Sequence, residues 1–368
     1  MLIGAEQISP EFRSVLNSFQ GIRIASTEDA QRLAEFVNST TMSAGRLKVG
    51  FQRGRDYFSL LRLQGEKFCV LICEEGEQVV AVGAVSFRSA VVRGVSRWLG
   101  YLQDLRVSSS AKQRTRVQFY KCFSEFVRMC PSLVEFGCCS IFLTAILDDN
   151  RVALAALSRP SFALEYTRLT SYTAHTWPKI PAQFLKRRLD EHMTVCQSEE
   201  LLDFYKQRRL PFEFDLTQPD VERLLAHARP VVIRMGGGIQ AACLLVQTNS
   251  ERCLNLGYEG LEQRWSCAGL YISALRLAEQ LPARDAHTLR NQLIRKALRV
   301  SAFLPGTFVG FVNVNDPSTR LSVGLSATSI HVKGSLYRVY HPEHTQLKDF
   351  AQGFLRPNQV AALEWVFM

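Results

Sequence analysis

Blocks of apolar residues separated by short polar turns fill the first half of the chain, and their periods predict alternating strands and helices. Between Leu99 and Asn150 the apolar positions change from a strand pattern to a 3.6-residue period and back. The pattern predicts a strand from Tyr101 to Val107, a turn from Ser108 to Arg116, a helix from Val117 to Met129, a strand from Ser140 to Leu147 and an Ala/Leu-rich helix from Val152 to Leu157.

The turn that opens the first of these helices is basic. It contains Lys112, Arg114 and Arg116. The first backbone N–H groups of a helix have no partners within the helix, and positive charge beside them favours an anion. Such a turn is typical of a pyrophosphate site.

The elements before this unit are predicted to be a strand, a helix and a hairpin. The strand is expected from Gly21 to Ser26 and the helix from Glu28 to Val37. The hairpin joins two apolar strands, Lys67 to Cys73 and Val79 to Arg88, across the polar turn Glu74-Glu75-Gly76-Glu77.

Two segments of this half resemble the motifs of the GNAT family of acyl-CoA-dependent N-acyltransferases. In that family a Val on the central strand is followed, after four residues, by Arg/Gln-x-x-Gly-x-Gly/Ala at the start of a helix. Laid on Val107, this pattern places Lys112 at the Arg/Gln position, Thr115 at the first Gly and Val117 at the Gly/Ala. The later family motif is matched by the strand Ile141 to Leu147, by Asn150 and Ala153, and by the turn Arg159 to Phe162.

The resemblance covers roughly residues 20 to 176 and implies an acyl-CoA-binding domain. The cofactor would be acetyl-CoA or another acyl-CoA. The main chain of Leu105, Arg106 and Val107 would bind the pantetheine arm, and Asn150 would touch that arm or order the turn beside it. The pyrophosphate would be bound by the helix start and its cations, at Lys112, Gln113, Arg114, Thr115, Arg116 and Val117.

The resemblance also implies the reaction, which is direct attack of a primary amine on the thioester. Asp104 is the only carboxylate on the predicted central strand and is therefore the candidate base, although strand alternation places it beside Arg106, where the two could form a surface pair. The helix after the Asn motif lacks the Tyr that often serves as the family's acid. Tyr166 and Tyr172 lie on the predicted strand that follows this helix. Tyr166 is the remaining candidate acid, and packing in the core or at a sheet edge is the alternative role of both residues.

The second half of the chain repeats the order of elements, which predicts a second GNAT-like domain. A hairpin through Gly236-Gly237-Gly238 precedes a predicted strand from Cys253 to Tyr258. In the turn that follows, Arg264, Cys267 and Gly269 would take the places of the family's Arg, Gly and Gly/Ala. The remaining predictions are helices at Ala182 to His192, Glu199 to Arg209, Asp220 to Ala228 and Gly269 to Gln280, strands at Met193 to Cys196 and Thr307 to Val314, and hairpin strands within Ser329 to Tyr340 around Lys333-Gly334-Ser335.

These elements predict an α/β protein with two GNAT-like domains in tandem, each a mixed, mostly antiparallel sheet flanked by helices. We expect an N-terminal extension at 1–19, the acyl-CoA-binding domain at 20–178, a linker helix at 179–195, the second domain at 196–345 and a C-terminal segment at 346–368. In tandem GNAT proteins one copy commonly keeps catalysis, while the other is structural or shapes the substrate cleft.

The net charge and the distribution of basic residues indicate which classes of partner to expect. The chain has 44 Lys and Arg against 34 Asp and Glu, a net charge of +10, which suits nucleic acid, an anionic cofactor or an acidic substrate. The basic residues are spread over predicted helices and no nucleic-acid-binding motif accompanies them. We therefore expect an anion only at the turn of Lys112, a small-molecule or peptide amine as the other substrate, no nucleic acid, and compatibility with a homo-oligomer.

Cysteine usage and hydropathy favour a cytoplasmic protein. The ten cysteines are scattered without a C-x-x-C pair, so buried, reduced thiols are expected and neither a zinc site nor a disulfide framework. None of the seven histidines has a partner at metal-ligand spacing, so no metal is expected. No apolar run approaches the ~18–20 residues that span a bilayer, and Met1 to Phe19 lacks the features of a secretory signal.

Two functional hypotheses remain from the sequence. The first is an acyl-CoA-dependent N-acyltransferase, with acetyl transfer to a primary amine as the expected reaction. The second is a catalytically inactive GNAT-like protein that binds a ligand or partner. The basic turn and the Asn150/Ala153 motif favour the enzyme, whereas the replaced glycines and the missing acid favour the catalytically inactive protein.

Overall fold

The computed structural model describes residues 1–39, 42–44, 47–92, 95–157, 163–179, 196, 198–207, 217–248, 252–258, 265–278, 281–306, 308–314 and 321–347. Within these ranges lie nine α-helices and fourteen β-strands. The helices are α1 Pro10–Asn17, α2 Ala30–Asn38, α3 Ser59–Gln64, α4 Gln113–Met129, α5 Arg151–Leu157, α6 Ser198–Gln207, α7 Gln218–Leu225, α8 Ala283–Ser301 and α9 Val323–Ala327. The strands are β1 Ile22–Ile24, β2 Met42–Ala44, β3 Leu47–Arg53, β4 Lys67–Glu75, β5 Gln78–Val92, β6 Val95–Val107, β7 Ile141–Leu147, β8 Glu165–Pro178, β9 Ala228–Met235, β10 Gly238–Gln247, β11 Arg252–Tyr258, β12 Trp265–Leu277, β13 Phe308–Val314 and β14 Ile330–Tyr340.

The strand–turn–helix unit predicted from the sequence is confirmed, and its helix is longer than expected. The spacing of Phe119, Phe123 and Phe126 places all three on the buried face of α4. The helix begins at Gln113, inside the predicted turn. The turn between β6 and α4 is therefore short, running from residue 108 to residue 112.

All fourteen described strands belong to one mixed sheet, in the order β1-β4-β5-β6-β7-β14-β8-β13-β12-β11-β3-β2, with β10 and β9 paired beside β12. Among these strands only β6–β7 and β12–β13 pair in parallel. Helices cover both faces, because an apolar sheet face is stable only when another layer of the protein buries it. One core lies under α1 and α4, a second under α2 and α3, a third under α8, and a fourth joins the two halves beneath α6 and α7.

The two halves exchange their last strands. β8, which ends the first half of the chain, pairs with β13 of the second half. β14, which comes from the second half, pairs with β7 of the first half and with β8. Because β14 lies between β7 and β8, neither half completes its sheet with its own strands.

A structural repeat relates the halves more clearly than the sequence does. β6 and β12 each carry one extra residue against their antiparallel neighbour, and at that bulge Asp104 and Ala274 both have φ of 51°. After each bulged strand comes a long helix, then a strand that pairs in parallel with it. The predicted tandem of two similar α/β units is confirmed.

Two predictions for the second half were wrong. Within the segment Gly269 to Gln280, predicted as a helix, the residues up to Leu277 belong to β12. Its residues from Gly269 to Arg276 are buried on both faces, and the sequence there reads as a nearly continuous apolar run. Ser329 to Tyr340, predicted as a hairpin, contains the single strand β14. Cys267 and Gly269 consequently lie within a strand and not at a phosphate turn, and Arg264 lies outside the described residues.

The expected helix over Ala182 to His192 and most of the strand at Met193 to Cys196 also lie outside the described residues. At the other end of the first half, the expected extension packs into the core. Phe12 of α1 is fully buried, and its ring lies 5.2 Å from that of Phe126 on α4.

Candidate functional site

The candidate site begins where two parallel strands separate. β6 and β7 pair only from Leu99 to Tyr101 on one strand and from Ile141 to Leu143 on the other. One residue further on, the Thr144 hydroxyl donates to the Leu102 carbonyl at 3.0 Å. Beyond this bond the strands diverge, and the bulge at Asp104 lies in the opening.

A cavity of about 1300 Å³ passes through this opening. Leu105 and Phe123, which line it, pack on the sheet face covered by α4. Tyr101 and Tyr172, which also line it, belong to the core on the opposite face, beneath α6 and α7. The lining of the cavity therefore comes from both faces of the sheet, and the two parts of it meet at the opening between the strands.

The far wall of the cavity comes from the second half and from the exchanged strands. His175 and His331 face each other across β8 and β14, with ring centroids 6.0 Å apart. His175 Nδ1 lies 2.9 Å from the Ser329 hydroxyl, and burial lowers the pKa of His175 to about 4, so its ring is neutral at pH 7. The apolar and aromatic members of this wall are Tyr172, Ala174, Tyr271, Phe308, Phe311, Val312, Ile330 and Val332.

A buried charge cluster lies at the bulge. The Asp104 carboxylate accepts hydrogen bonds from the Arg53 guanidinium, from the Tyr57 hydroxyl at 3.1 Å and from Arg106 at 3.3 Å. Burial alone would raise the pKa of Asp104, but the charges of Arg53 and Arg106 outweigh it and lower the pKa to about 2. Asp104 is therefore ionised and firmly held. Its pair with Arg106 is buried and is not the surface pair that strand alternation suggested.

The same cluster shows that the sheet curves round the cavity. β3, which carries Arg53, is separated from β6 in the strand order by β7, β14, β8, β13, β12 and β11. Yet Arg53 pairs with Asp104 of β6, so the two strands meet at the cavity.

The predicted pyrophosphate position holds an anion of the chain itself. Glu75, the last residue of β4, accepts hydrogen bonds from the Lys112 backbone N–H at 3.1 Å and from the Thr115 hydroxyl at 2.5 Å. The hydrogen bond from Thr115 is the main cause of a lowered pKa of Glu75. The carboxylate thus lies beside the start of α4, where a phosphate would be expected to bind, and is held by the N–H of the residue before the helix and by a side-chain hydroxyl of the first turn.

The other predicted cofactor residues divide into two groups. Leu105, Arg106, Val107 and Asn150 line the cavity, whereas Lys112 to Val117 lie outside its lining. Asn150 caps α5, because its side-chain oxygen accepts from the Ala153 N–H at 3.1 Å. Arg116 donates to the Ala111 carbonyl at 3.0 Å and so orders the turn before α4. Their roles toward a cofactor stay predictions.

Tyr166, the candidate acid, lies on β8 and lines the cavity. Burial raises the pKa of its phenol well above the usual value, so the proton stays on the oxygen at neutral pH.

Sequence reasoning missed Glu75, Arg53 and Tyr57 as members of the site. Glu75 is separated from Thr115 by 40 positions and Arg53 from Asp104 by 51, and no local pattern links them. Arg53 begins a basic cluster that is also typical of a solvated surface. The sequence contains one indication of the contact between Glu75 and α4. The predicted turn from Glu74 to Glu77 holds three glutamates, and an acidic turn can pair with the basic start of a helix.

The described part of the chain shows no group of three or more His, Cys, Asp or Glu side chains arranged to hold a metal ion. None of the cysteines whose side chains the structure describes forms a disulfide bond, and most of them are buried. Burial raises the pKa of Cys139 to about 12, so this thiol is protonated at neutral pH. Among the described helices, none has the length and apolar character required to span a bilayer.

The sequence matches no family model and no curated protein. The fold is similar to solved structures of Saccharomyces cerevisiae N-myristoyltransferase. One, with bound myristoyl-CoA and inhibitors, superposes with a TM-score of 0.60 at 11% identity over 92% of this chain and 84% of that chain. Another, with bound myristoyl-CoA, gives 0.56 at 11% identity over 92% and 82%. A tandem GNAT protein from the clavulanic acid biosynthesis pathway gives 0.48 at 9% identity over 86% and 98%.

The likeness to N-myristoyltransferase extends over nearly the whole chain and confirms the predicted fold, two GNAT-like units in tandem. At 11% identity it concerns the fold alone, and the chemistry rests on the residues of the cavity.

Proposed function

We propose that the chain is an N-acyltransferase that takes an acyl group from an acyl-CoA-type thioester and transfers it to a primary amine of a small molecule or peptide. The observation that carries the proposal is the cavity through the opening between β6 and β7, because its lining comes from both sheet faces. A thioester entering beside α4 and an amine entering from the opposite face would meet beside Leu102 and Thr144. Bringing the reactants together in this way is itself a large part of catalysis for a bimolecular reaction.

The pantetheine part of such a cofactor fits the residues present, and its diphosphate does not. Leu105 and Val107 line the passage on the α4 side, next to Ser108 and Asn150. The Glu75 carboxylate already lies at the helix start that would hold the diphosphate. When bound, the thioester would supply the activated acyl group, and the chain would hold the arm, align the carbonyl and exclude water.

Proton transfer is assigned to the two titratable side chains at the opening. Tyr166 retains its proton at neutral pH and is the proposed donor to the departing sulfur. Asp104 is the proposed acceptor of the amine proton, but a carboxylate with a pKa of about 2 is a weak base. Its evident role is to hold Arg53 and Arg106, and an amine that enters already neutral would need little help from it.

The alternative is a catalytically inactive GNAT-like protein that binds a ligand or partner. The Glu75 carboxylate at the helix start and the ion-paired Asp104 favour it, because the first opposes a diphosphate and the second weakens the candidate base. We place the transferase first because the cavity continues past the opening to the second half, which a simple binding site for one ligand does not require.

The test is release of free thiol when the protein is mixed with acyl thioesters and a panel of amines. Acetyl transfer is the expected reaction, and acyl groups up to myristoyl are included because a cavity of about 1300 Å³ has room for them. A bound donor should also stabilise the fold by ~2.7 kcal/mol at 100 times its dissociation constant. Stabilisation without thiol release, or the absence of both, would contradict the transferase and favour the inactive protein.

A further inference from the structure

Glu75 occupies the anion position of α4. Its carboxylate is bonded to the Lys112 N–H at 3.1 Å and to the Thr115 hydroxyl at 2.5 Å, and the lowered pKa of Glu75 shows that the charged form is favoured. Thr115 stands where the family pattern has its first glycine. The side chain that replaces this glycine is therefore one of the two groups that bind Glu75.

A diphosphate and Glu75 would compete for the same place. The positive end of a helix acts over its first turn only, and a second anion beside the Glu75 carboxylate would meet like charge. Thr115 and Val117 also carry side chains where glycine would let a phosphate approach the backbone. As folded, the start of α4 already has a carboxylate beside it.

The passage for a pantetheine arm is open by contrast. The cavity lining runs along Leu105, Arg106 and Val107 and through Ser108 to Ser110, and it ends before Lys112. The chain therefore keeps the part of the site that binds the arm and has filled the part that binds a nucleotide diphosphate.

We propose that the donor is recognised through its pantetheine arm and not through a nucleoside diphosphate. The substrate is an acyl thioester of phosphopantetheine that lacks the adenosine diphosphate, either as a free molecule or attached to a carrier protein. This inference rests on the proposed transferase function. The amine nitrogen bonds to the acyl carbon, the carbon–sulfur bond breaks, and the sulfur leaves as a thiol with the proton that the amine gives up.

The charge of the chain suits the protein-bound source. The net charge of +10 would attract an acidic carrier, and Lys112 and Arg114 are exposed next to the passage.

Calorimetric titration with coenzyme A, phosphopantetheine and pantetheine tests recognition directly. Coenzyme A and phosphopantetheine should bind the wild-type protein with dissociation constants within about threefold of each other. Glu75→Ala should tighten coenzyme A binding by about tenfold, because the start of α4 becomes available, while binding of pantetheine stays unchanged. Glu75→Gln, which keeps an acceptor oxygen without the charge, should have a smaller effect in the same direction. Glu11→Gln, at an exposed position of α1 outside the cavity lining, should have none.

Turnover with an acyl carrier protein, an acyl-phosphopantetheine and an acyl-CoA of one acyl length separates the sources. Preference for the carrier identifies the protein-bound donor, and equal use of the free phosphopantetheine thioester identifies the small one; either supports the inference. Coenzyme A binding about thirtyfold tighter than phosphopantetheine, with no response to Glu75→Ala, overturns it. Thiol release from none of the donors contradicts the transferase function, and the titration still decides how the donor is recognised.

Discussion

The Asp104 side chain is 7% exposed and neutralises part of the charge of two guanidinium groups. Arg53 and Arg106 together carry two positive charges against its one negative charge, and all three side chains line the cavity. Because the pKa of Asp104 is lowered from 3.8 to about 2, the carboxylate contributes stability that is complete above pH 4 and is lost as the pH falls through 2. At about 1.4 kcal/mol for each pKa unit, this contribution is about 2 kcal/mol at neutral pH.

Asp104→Asn should therefore destabilise the protein by about 2–4 kcal/mol at pH 7, because it leaves two cations in a buried place without their anion. The measurement is the free energy of unfolding in urea as a function of pH. The difference between variant and wild type should shrink as the pH falls from 4 to 2. Tyr57→Phe, which removes one hydrogen bond and no charge, should cost about 1 kcal/mol. A difference for Asp104→Asn that does not change with pH would contradict the assignment.

Residues that are distant in sequence explain why this site could be predicted only in part. The sequence identifies the residues of the opening itself, Leu105 to Val107 and Asn150, because the motifs that carry them are local. The partners Arg53 and Glu75 come from other strands. The positive φ at Asp104 also interrupts the strand alternation on which its predicted orientation depended.

At the scale of elements, β14 packs very closely between its neighbours β7 and β8. A Cβ atom at Gly334 would lie 2.2 Å from the Tyr172 hydroxyl of β8 and 2.8 Å from the Ile146 carbonyl of β7. Gly334→Ala should destabilise the protein by about 1–3 kcal/mol, because both neighbours would have to move. Urea unfolding measures this.

The matched control is Gly324→Ala, which adds the same methyl group in α9, where nothing lies within 4 Å. Its effect should stay within about 0.5 kcal/mol, or be stabilising, since alanine favours a helix. Adding Tyr172→Phe to Gly334→Ala should recover little of the loss, because the ring carbon Cζ of residue 172 would still lie 2.3 Å from the added Cβ. Equal stability of Gly334→Ala and Gly324→Ala would show that β14 does not pack as tightly as the structure indicates.

The elements of the first half were predicted well because each strand there is bounded by clear turns, as at Glu74 to Glu77. The strand β12 was predicted wrongly, as a helix, because it is buried on both faces. A strand with apolar residues at nearly every position, from Leu270 to Leu275, has no alternation to separate it from a helix. The strand β14 was divided in the prediction by Gly334, which serves close packing and not a turn.

At the scale of the whole molecule, a buried ion pair joins the halves. Arg88 of β5 is 2% exposed and donates to the Asp220 carboxylate of α7, which is 1% exposed, at 3.1 Å. Asp220 also accepts from the Thr217 N–H at 2.8 Å and so caps α7. Asp220→Asn should cost about 3–5 kcal/mol in urea unfolding, because a buried charge pair is broken. Glu222→Gln, on the exposed side of the same helix, should change the free energy by less than about 0.5 kcal/mol, and a comparable loss from both would contradict this role.

The exchange of β8 and β14 makes the two halves one folding unit. The sequence could not predict it, because the same apolar strands could equally pair within their own half, and only the order β7-β14-β8-β13 shows which pairing is used. We expect a single unfolding transition, with the amides of β5 and β10 protected from hydrogen exchange by the same free energy. Residues 1–178 and 179–368, produced separately, should each expose open strand edges and aggregate, whereas refolding them together should restore the native circular dichroism spectrum. A stable, monomeric 1–178 fragment, or two separate transitions of the intact chain, would show that the halves fold independently. The exchanged strands would then not be required for either half to fold.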